Sequence, residues 1–144
     1  YKRQGEDGRS RVKKHKLQRD GKGFETIEQY QNIGGALKGC KRDTKPVVLV
    51  ECMSNLLANE CFEENGHPDN IFAECMQLYS ECSHLVIVTN EGFSDGCEYD
   101  DSTTDYIRRL GELNVKLAKA ADTVVEVVYT IPVVLKGDIS YVGN

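Results

Sequence analysis

Three acids and one histidine carry most of the chemistry this sequence offers. Glu51 and Glu91 follow apolar runs, Glu28 follows a short alternating run, and His15 stands inside a basic segment. Carboxylates at the carboxyl edge of an open α/β sheet can hold a magnesium ion or a ribose hydroxyl. Strand ends are polar wherever a chain surfaces, so one such acid carries little weight. Three of them on one edge point to a ligand site. His15 lies among Arg11, Lys13, Lys14, Lys16 and Arg19. Cationic neighbours hold an imidazole neutral, which leaves a ring nitrogen free to attack phosphorus. The same cations stabilise charge that develops on a phosphate. Arg11, His15 and Arg19 are four residues apart, so a helix places them near one face. A histidine on a basic helix is otherwise an ordinary surface residue, and the spacing leaves both readings open. His67, in a Gly/Pro loop, and His84, at a strand start, read as structural.

The elements that must position these groups centre on PVVLVECMSNLLANECF, Pro46 to Phe62. Val47 to Val50 form an apolar run with β-branched bias, which predicts a strand buried on both faces of a parallel sheet. The strand ends on Glu51. Met53, Leu56, Leu57 and Cys61 then recur at helical spacing and mark one face of a helix. A second buried strand is expected at His84 to Thr89, ending in Asn90-Glu91, and a third at Thr123 to Tyr129. Between them, Asp69 is the expected N-cap of a helix carrying Ile71, Phe72, Cys75, Met76, Tyr79 and Cys82. Thr103 or Thr104 is the expected cap of another, with Ile107, Leu110, Asn114, Leu117 and Ala121 on one face. Phe24 to Glu28 alternates as a short strand, and Tyr30 to Leu37 is expected to be helical. Pro132 argues that Ile131 to Lys136 is an edge strand or a turn. Strands alternating with helices predict right-handed crossovers and a parallel sheet with Glu51 and Glu91 at the same edge.

Composition bounds the alternatives. The 144 residues suit a single α/β domain with a real core. No apolar run approaches the ~18 residues of a membrane span. The net charge is −5, but residues 1–22 hold nine Lys/Arg against three acids. That surplus of six leaves −11 for the rest, a basic arm on an acidic body, which suits an anionic ligand near the arm. The arm lacks interleaved aromatics for stacking on bases, so nucleic acid is not the expected partner. None of the six cysteines forms a C-x-x-C pair, so they read as reduced thiols of a cytoplasmic protein. No G-x-x-x-x-G-K-[ST] loop occurs in the sequence; Gly34-Gly35 lacks the Lys-Ser/Thr that a phosphate cradle needs.

Five segments in order, RVKKHKLQR, FETIE, VVLVECMSNLLANE, LVIVTNE and LGELNVKLAKAADTVVEVVYTIPVVLK, resemble the bifunctional adenosylcobinamide kinase / adenosylcobinamide-phosphate guanylyltransferase family of cobalamin biosynthesis. The resemblance covers roughly residues 6–136. It implies a P-loop NTPase-like, RecA-like three-layer fold with a mostly parallel sheet. It also implies a nucleotide-dependent transferase that phosphorylates adenosylcobinamide and then transfers GMP from GTP to that phosphate through a guanylylated histidine. His15 matches that catalytic histidine in the R-x-x-x-H-x-x-x-R pattern of Arg11, His15 and Arg19. Lys16, Leu17, Gln18, Arg19 and Glu28 match segments that contact GTP. Glu51 matches the acid ending the Walker-B-like strand, where Mg2+ is expected; Asn90, Glu91 and Asn114 match later motifs. The implied substrates are the corrinoid and GTP or ATP, and the implied assembly is a homo-oligomer.

The family pattern opens with a strand and a phosphate-binding loop, which are expected upstream of Tyr1. Two later motifs differ here: V-G-x-G is replaced by Gly92-Phe93-Ser94-Asp95-Gly96, and F-R-D by Tyr106-Ile107-Arg108. A non-catalytic nucleotide- or corrinoid-binding relative is the alternative reading.

Overall fold

The computed structural model describes residues 21–40, 43–91 and 99–139. They divide between two compact units, one reaching Asn90 and the other starting at Glu91. In the first unit, strand β1 (Val47–Glu51) leads into helix α1 (Met53–Phe62). A 3-10 turn (Pro68–Asn70) then opens helix α2 (Ile71–Glu81), which returns the chain to strand β2 (His84–Val88). The strands are parallel, with Val47 opposite His84 and Glu51 opposite Val88. A parallel pair requires a long crossover, and α1 with α2 supplies it.

The unit is held by the helices. Met53, Leu57, Ile71, Cys75 and Leu78 are the largest side chains with essentially no exposure. Of the predicted α1 face, Met53, Leu56 and Leu57 are buried; Cys61 is only partly covered. On α2 the buried stripe is Ile71, Cys75 and Leu78, with Cys82 just beyond it, while the predicted Tyr79 faces solvent. Burial pushes the Cys75 thiol up to about 12, with the Glu74 carboxylate adding to it. It therefore behaves as an apolar side chain rather than a nucleophile. Lys45 Nζ donates to Ser80 O at 2.8 Å, and the Ser83 N–H donates to Pro46 O at 2.8 Å, so the starts of both strands are tied together.

Several expectations are corrected. Among the described residues of the first unit the strands are covered on one face only: Val47, Leu49, Val86 and Val88 are exposed, whereas Val48, Val50, Leu85 and Ile87 are partly covered. An apolar run reports compatibility with burial on both faces, not the presence of two covering layers. Phe24 to Glu28 is irregular, and all five of its residues are exposed. A strand needs a neighbour to take its backbone hydrogen bonds, and the local alternation does not provide one. The helix expected over 30–37 shrinks to a 3-10 turn at Ile33–Gly35, packed on α2. Asn32 before it is left-handed, with φ 54°, which stops a helix from starting earlier. Asn70, not Asp69, stands at the N-cap of α2, because Asp69 is consumed by the preceding 3-10 turn.

The second unit holds helix α3 (Asp101–Ala120) and a hairpin of β3 (Val124–Val128) and β4 (Ile131–Lys136). β3 was expected in the parallel sheet; it pairs antiparallel with β4 in a separate two-stranded sheet. The cause is the two-residue connection. Tyr129 and Thr130 both have positive φ, 48° and 70°, the geometry of a tight turn matched to strand twist. So short a link joins only antiparallel strands. Pro132 sits opposite Val127, where a two-stranded sheet makes every strand an edge. Leu110 and Leu113 are the buried residues of α3; Leu113 was not expected there. Lys136 Nζ closes the unit by donating to Ala118 O, Lys119 O and Ala121 O at 3.2, 2.9 and 2.6 Å, capping the carboxyl end of α3.

Leu57→Ala should show where the first unit's stability resides. Leu57 is 1 % exposed, and such a truncation costs about 2–5 kcal/mol. The urea midpoint followed by far-UV circular dichroism should fall accordingly, and an unchanged midpoint would place the core elsewhere.

Candidate functional site

The best-placed candidate is the carboxyl edge of the parallel pair. Glu51 is the last residue of β1, in register with Val88, the last of β2. Asn90 follows two residues later, so Glu51 and Asn90 leave the sheet at the same edge. The chain turns from strand to helix at once: Cys52 is the N-cap position of α1, and its Sγ lies 3.1 Å from Ser54 Oγ. The Glu51–Cys52 peptide is cis. Glu51 is exposed and so is able to meet a ligand.

Glu28 lies elsewhere on the same unit, in an extended and exposed stretch. The Tyr30 hydroxyl donates to Glu28 Oε2 at 3.2 Å. The bonds that fasten this stretch come from the far end of α1. Asn59 Nδ2 donates to Tyr30 O at 3.1 Å. Gln31 Nε2 reaches Asn59 O and Glu64 O, each at 3.4 Å. The Asn32 N–H donates to Glu60 Oε1 at 2.8 Å, and the His67 N–H donates to Glu60 Oε2 at 2.7 Å.

Glu60 was missed by sequence reasoning, although a signal was present. It falls at the eighth place of the pattern Met53, Leu56, Leu57, Glu60, where the helix faces the core. A charge there predicts either a broken face or a satisfied carboxylate. The structure has the second: Glu60 is 3 % exposed with both oxygens bonded. Gly66 is required beside it, because a Cβ there would lie 2.1 Å from Glu60 O.

Glu91 and Asn114 belong to the second unit, Asn114 half-buried on α3. Arg11, His15, Lys16, Leu17, Gln18 and Arg19 lie outside the described residues. Two open clefts occur in the first unit. One, of about 590 Å3, is walled by Asn32, Glu60, His67, Glu74 and Gln77; the other, of about 290 Å3, by Leu37, Asp43, Lys45 and Glu81. Neither of these two is lined by Glu51 or Glu28. No group of three or more His, Cys, Asp or Glu side chains there is arranged to hold a metal. Magnesium demands less, one or two carboxylates with its other ligands drawn from phosphates and water.

Comparison with protein families decides the affiliation. The family model for cobinamide kinase / cobinamide phosphate guanyltransferase matches residues 2–135. The chain belongs to that family. The match spans nearly the whole sequence and includes all eleven candidate positions from Arg11 to Asn114. No curated protein matches the chain. Membership places the chain among the kinase/guanyltransferase proteins of cobalamin biosynthesis, whose substrates are cobinamide and nucleotides. The mixed α/β structure with its small parallel sheet is compatible with the fold of that family. Among the described residues, no helix is long and apolar enough to cross a membrane.

The helix that carries Asn114 is set by Asp100 rather than by either predicted threonine. Asp100 Oδ1 accepts the Ser102 hydroxyl at 2.7 Å and the Thr103 N–H at 2.8 Å. These bonds hold its carboxyl below the usual carboxylate range. Asp105 is lowered likewise, first by Arg109 and then by Arg108. A depressed folded pKa means stability that is present above the unfolded pKa of about 4 and is lost as pH falls through the folded value. Helicity of α3 should therefore weaken below about pH 4. Asp100→Ala should lower it at neutral pH and flatten its acid dependence. Circular dichroism against pH checks this, and an unchanged slope would remove Asp100 from the account.

Proposed function

We infer that this chain takes part in the two-step chemistry of its family. That chemistry phosphorylates the hydroxyl of adenosylcobinamide with ATP or GTP, then transfers GMP from GTP to the resulting phosphate, with His15 as the residue that carries the GMP. The observation that carries the reading is the family match over residues 2–135, which takes in His15 and its cations together with Glu51 and Asn90. The finer fold we propose is the RecA-like, P-loop type of three layers, of which β1, β2 and the intervening helices are a part.

In the guanylyl step a neutral His15 ring nitrogen attacks the α-phosphorus of GTP. A nitrogen–phosphorus bond forms, the α–β bridging bond breaks, and pyrophosphate leaves. A phosphate oxygen of the corrinoid substrate then attacks the same phosphorus, forming a phosphoanhydride and returning the imidazole. Covalent catalysis divides one difficult transfer into two easier ones. Arg11 and Arg19 grip phosphate oxygens bidentately, and Lys16, Leu17, Gln18 and Glu28 contact the nucleotide. Glu51 would hold magnesium, which when bound neutralises phosphate charge. Asn90, Glu91 and Asn114 complete the set of polar groups proposed to face the substrates, and the working form is a homo-oligomer.

The test is labelling with α-32P-GTP. The protein should take up acid-labile label, and His15→Ala should abolish it with the fold intact. His15→Asn should do the same, since an amide is not a competent nucleophile. Label persisting in both variants would reject His15. GTP binding without label in the unaltered protein would favour a non-catalytic nucleotide-binding relative.

A further inference from the structure

We propose that Asn59, with Glu60, is a positioning residue that sets the Glu28 carboxylate in its working place relative to Glu51. The proposal rests on the reading of Glu28 as a nucleotide contact. The role is one of positioning, since both side chains bond to backbone atoms of neighbouring loops.

Helix α1 is the mechanical link. It starts one residue after Glu51, past the Cys52 N-cap, and carries Asn59 and Glu60 in its last turn. Its ten residues span about 15 Å, and Met53, Leu56 and Leu57 hold it rigidly in the core. The stretch that carries Glu28 has no regular structure of its own, and Phe24 and Tyr30 are 57 % and 58 % exposed. Its place is set by bonds to the end of α1. Asn59 holds the Tyr30 carbonyl, and the phenol of the same Tyr30 donates to Glu28 Oε2. One residue thus relays the helix position to the acid. Glu60 fixes the next turn by accepting the Asn32 N–H, and it anchors that bond from the other side through the His67 N–H. Glu60 itself is 3 % exposed, and both bonds are part-buried. The left-handed Asn32 backbone, φ 54°, aims its N–H at the carboxylate.

Two features separate this from a bond network that only stabilises the fold. The bonds to α1 fall at three successive residues, Tyr30, Gln31 and Asn32, two to four places after Glu28. The relay also passes through a side chain, the Tyr30 phenol, that ends on the candidate acid itself.

The test uses the full chain and steady-state guanylyl transfer. Tyr30→Phe removes the phenolic donor from an exposed side chain and should leave the urea midpoint unchanged. It should raise KM for GTP about five- to tenfold, the loss of one hydrogen bond, with kcat nearly constant. Asn59→Ala should raise KM at least as much, and Asn59→Asp, which loses the donor, should not rescue it. The decisive measurement is coupling. In a Glu28→Gln background, Asn59→Ala and Tyr30→Phe should add little further to KM. Full additivity with Glu28→Gln would overturn the proposal, as would a wild-type KM in Tyr30→Phe. Those results leave the functional reading intact, because wild-type label uptake is read separately. Absence of guanylyl transfer in the unaltered protein would remove both together.

Discussion

The first unit depends on one buried carboxylate with two backbone partners. Glu60 sits on the core face of α1, where an apolar residue is expected, and an unpaired charge there would be costly. Its two oxygens are taken by the N–H groups of Asn32 and His67, which belong to loops on either side of the helix in sequence. Hydrogen bonds to a charged acceptor contribute more than neutral ones. The tight approach of Gly66 to the Glu60 carbonyl and the left-handed Asn32 and Asn65 follow from fitting two loops against one helix end. Removing the carboxylate would take the shared acceptor from two part-buried backbone N–H groups and untie both loops from the helix.

That constraint links the helix core to the candidate chemistry. β1 delivers Glu51 to the edge of the parallel pair, and α1 carries the same rigid frame to Asn59 and Glu60. The segment holding Glu28 is irregular, yet it is bonded where it meets the helix. A functional group on an irregular segment is useful only when a regular element fixes it. The second unit uses the same device at smaller scale. Lys136 on β4 closes the carboxyl end of α3, and Asp100 closes its amino end, so the helix bearing Asn114 has both termini satisfied.

The family match turns a set of residues into a coherent chemistry. A basic segment with His15, an acid at a strand end and an amide at the next strand end are each ordinary alone. The family match over residues 2–135 takes in all three. Neither of the two open clefts described in the first unit is lined by Glu51 or Glu28.

The sequence by itself determined the elements whose signal is local. The apolar runs at Val47 and Leu85, the helical spacing of Met53, Leu56 and Leu57, and the acid ending β1 were all legible, because periodicity reports which face a segment can bury. It also carried the family pattern. Tertiary structure decided whatever needs a partner distant in sequence. Whether Phe24 to Glu28 became a strand depended on a neighbour for its backbone. Whether β3 joined the parallel pair depended on the turn at Tyr129 and Thr130, whose positive φ values commit it to β4. The role of Glu60 was visible only as a charge in the wrong place, since nothing in the periodicity of α1 names Asn32, 28 residues earlier, as its partner. Long-range backbone hydrogen bonds leave no periodic mark on either segment that makes them, and for that reason the fold alone assigned them.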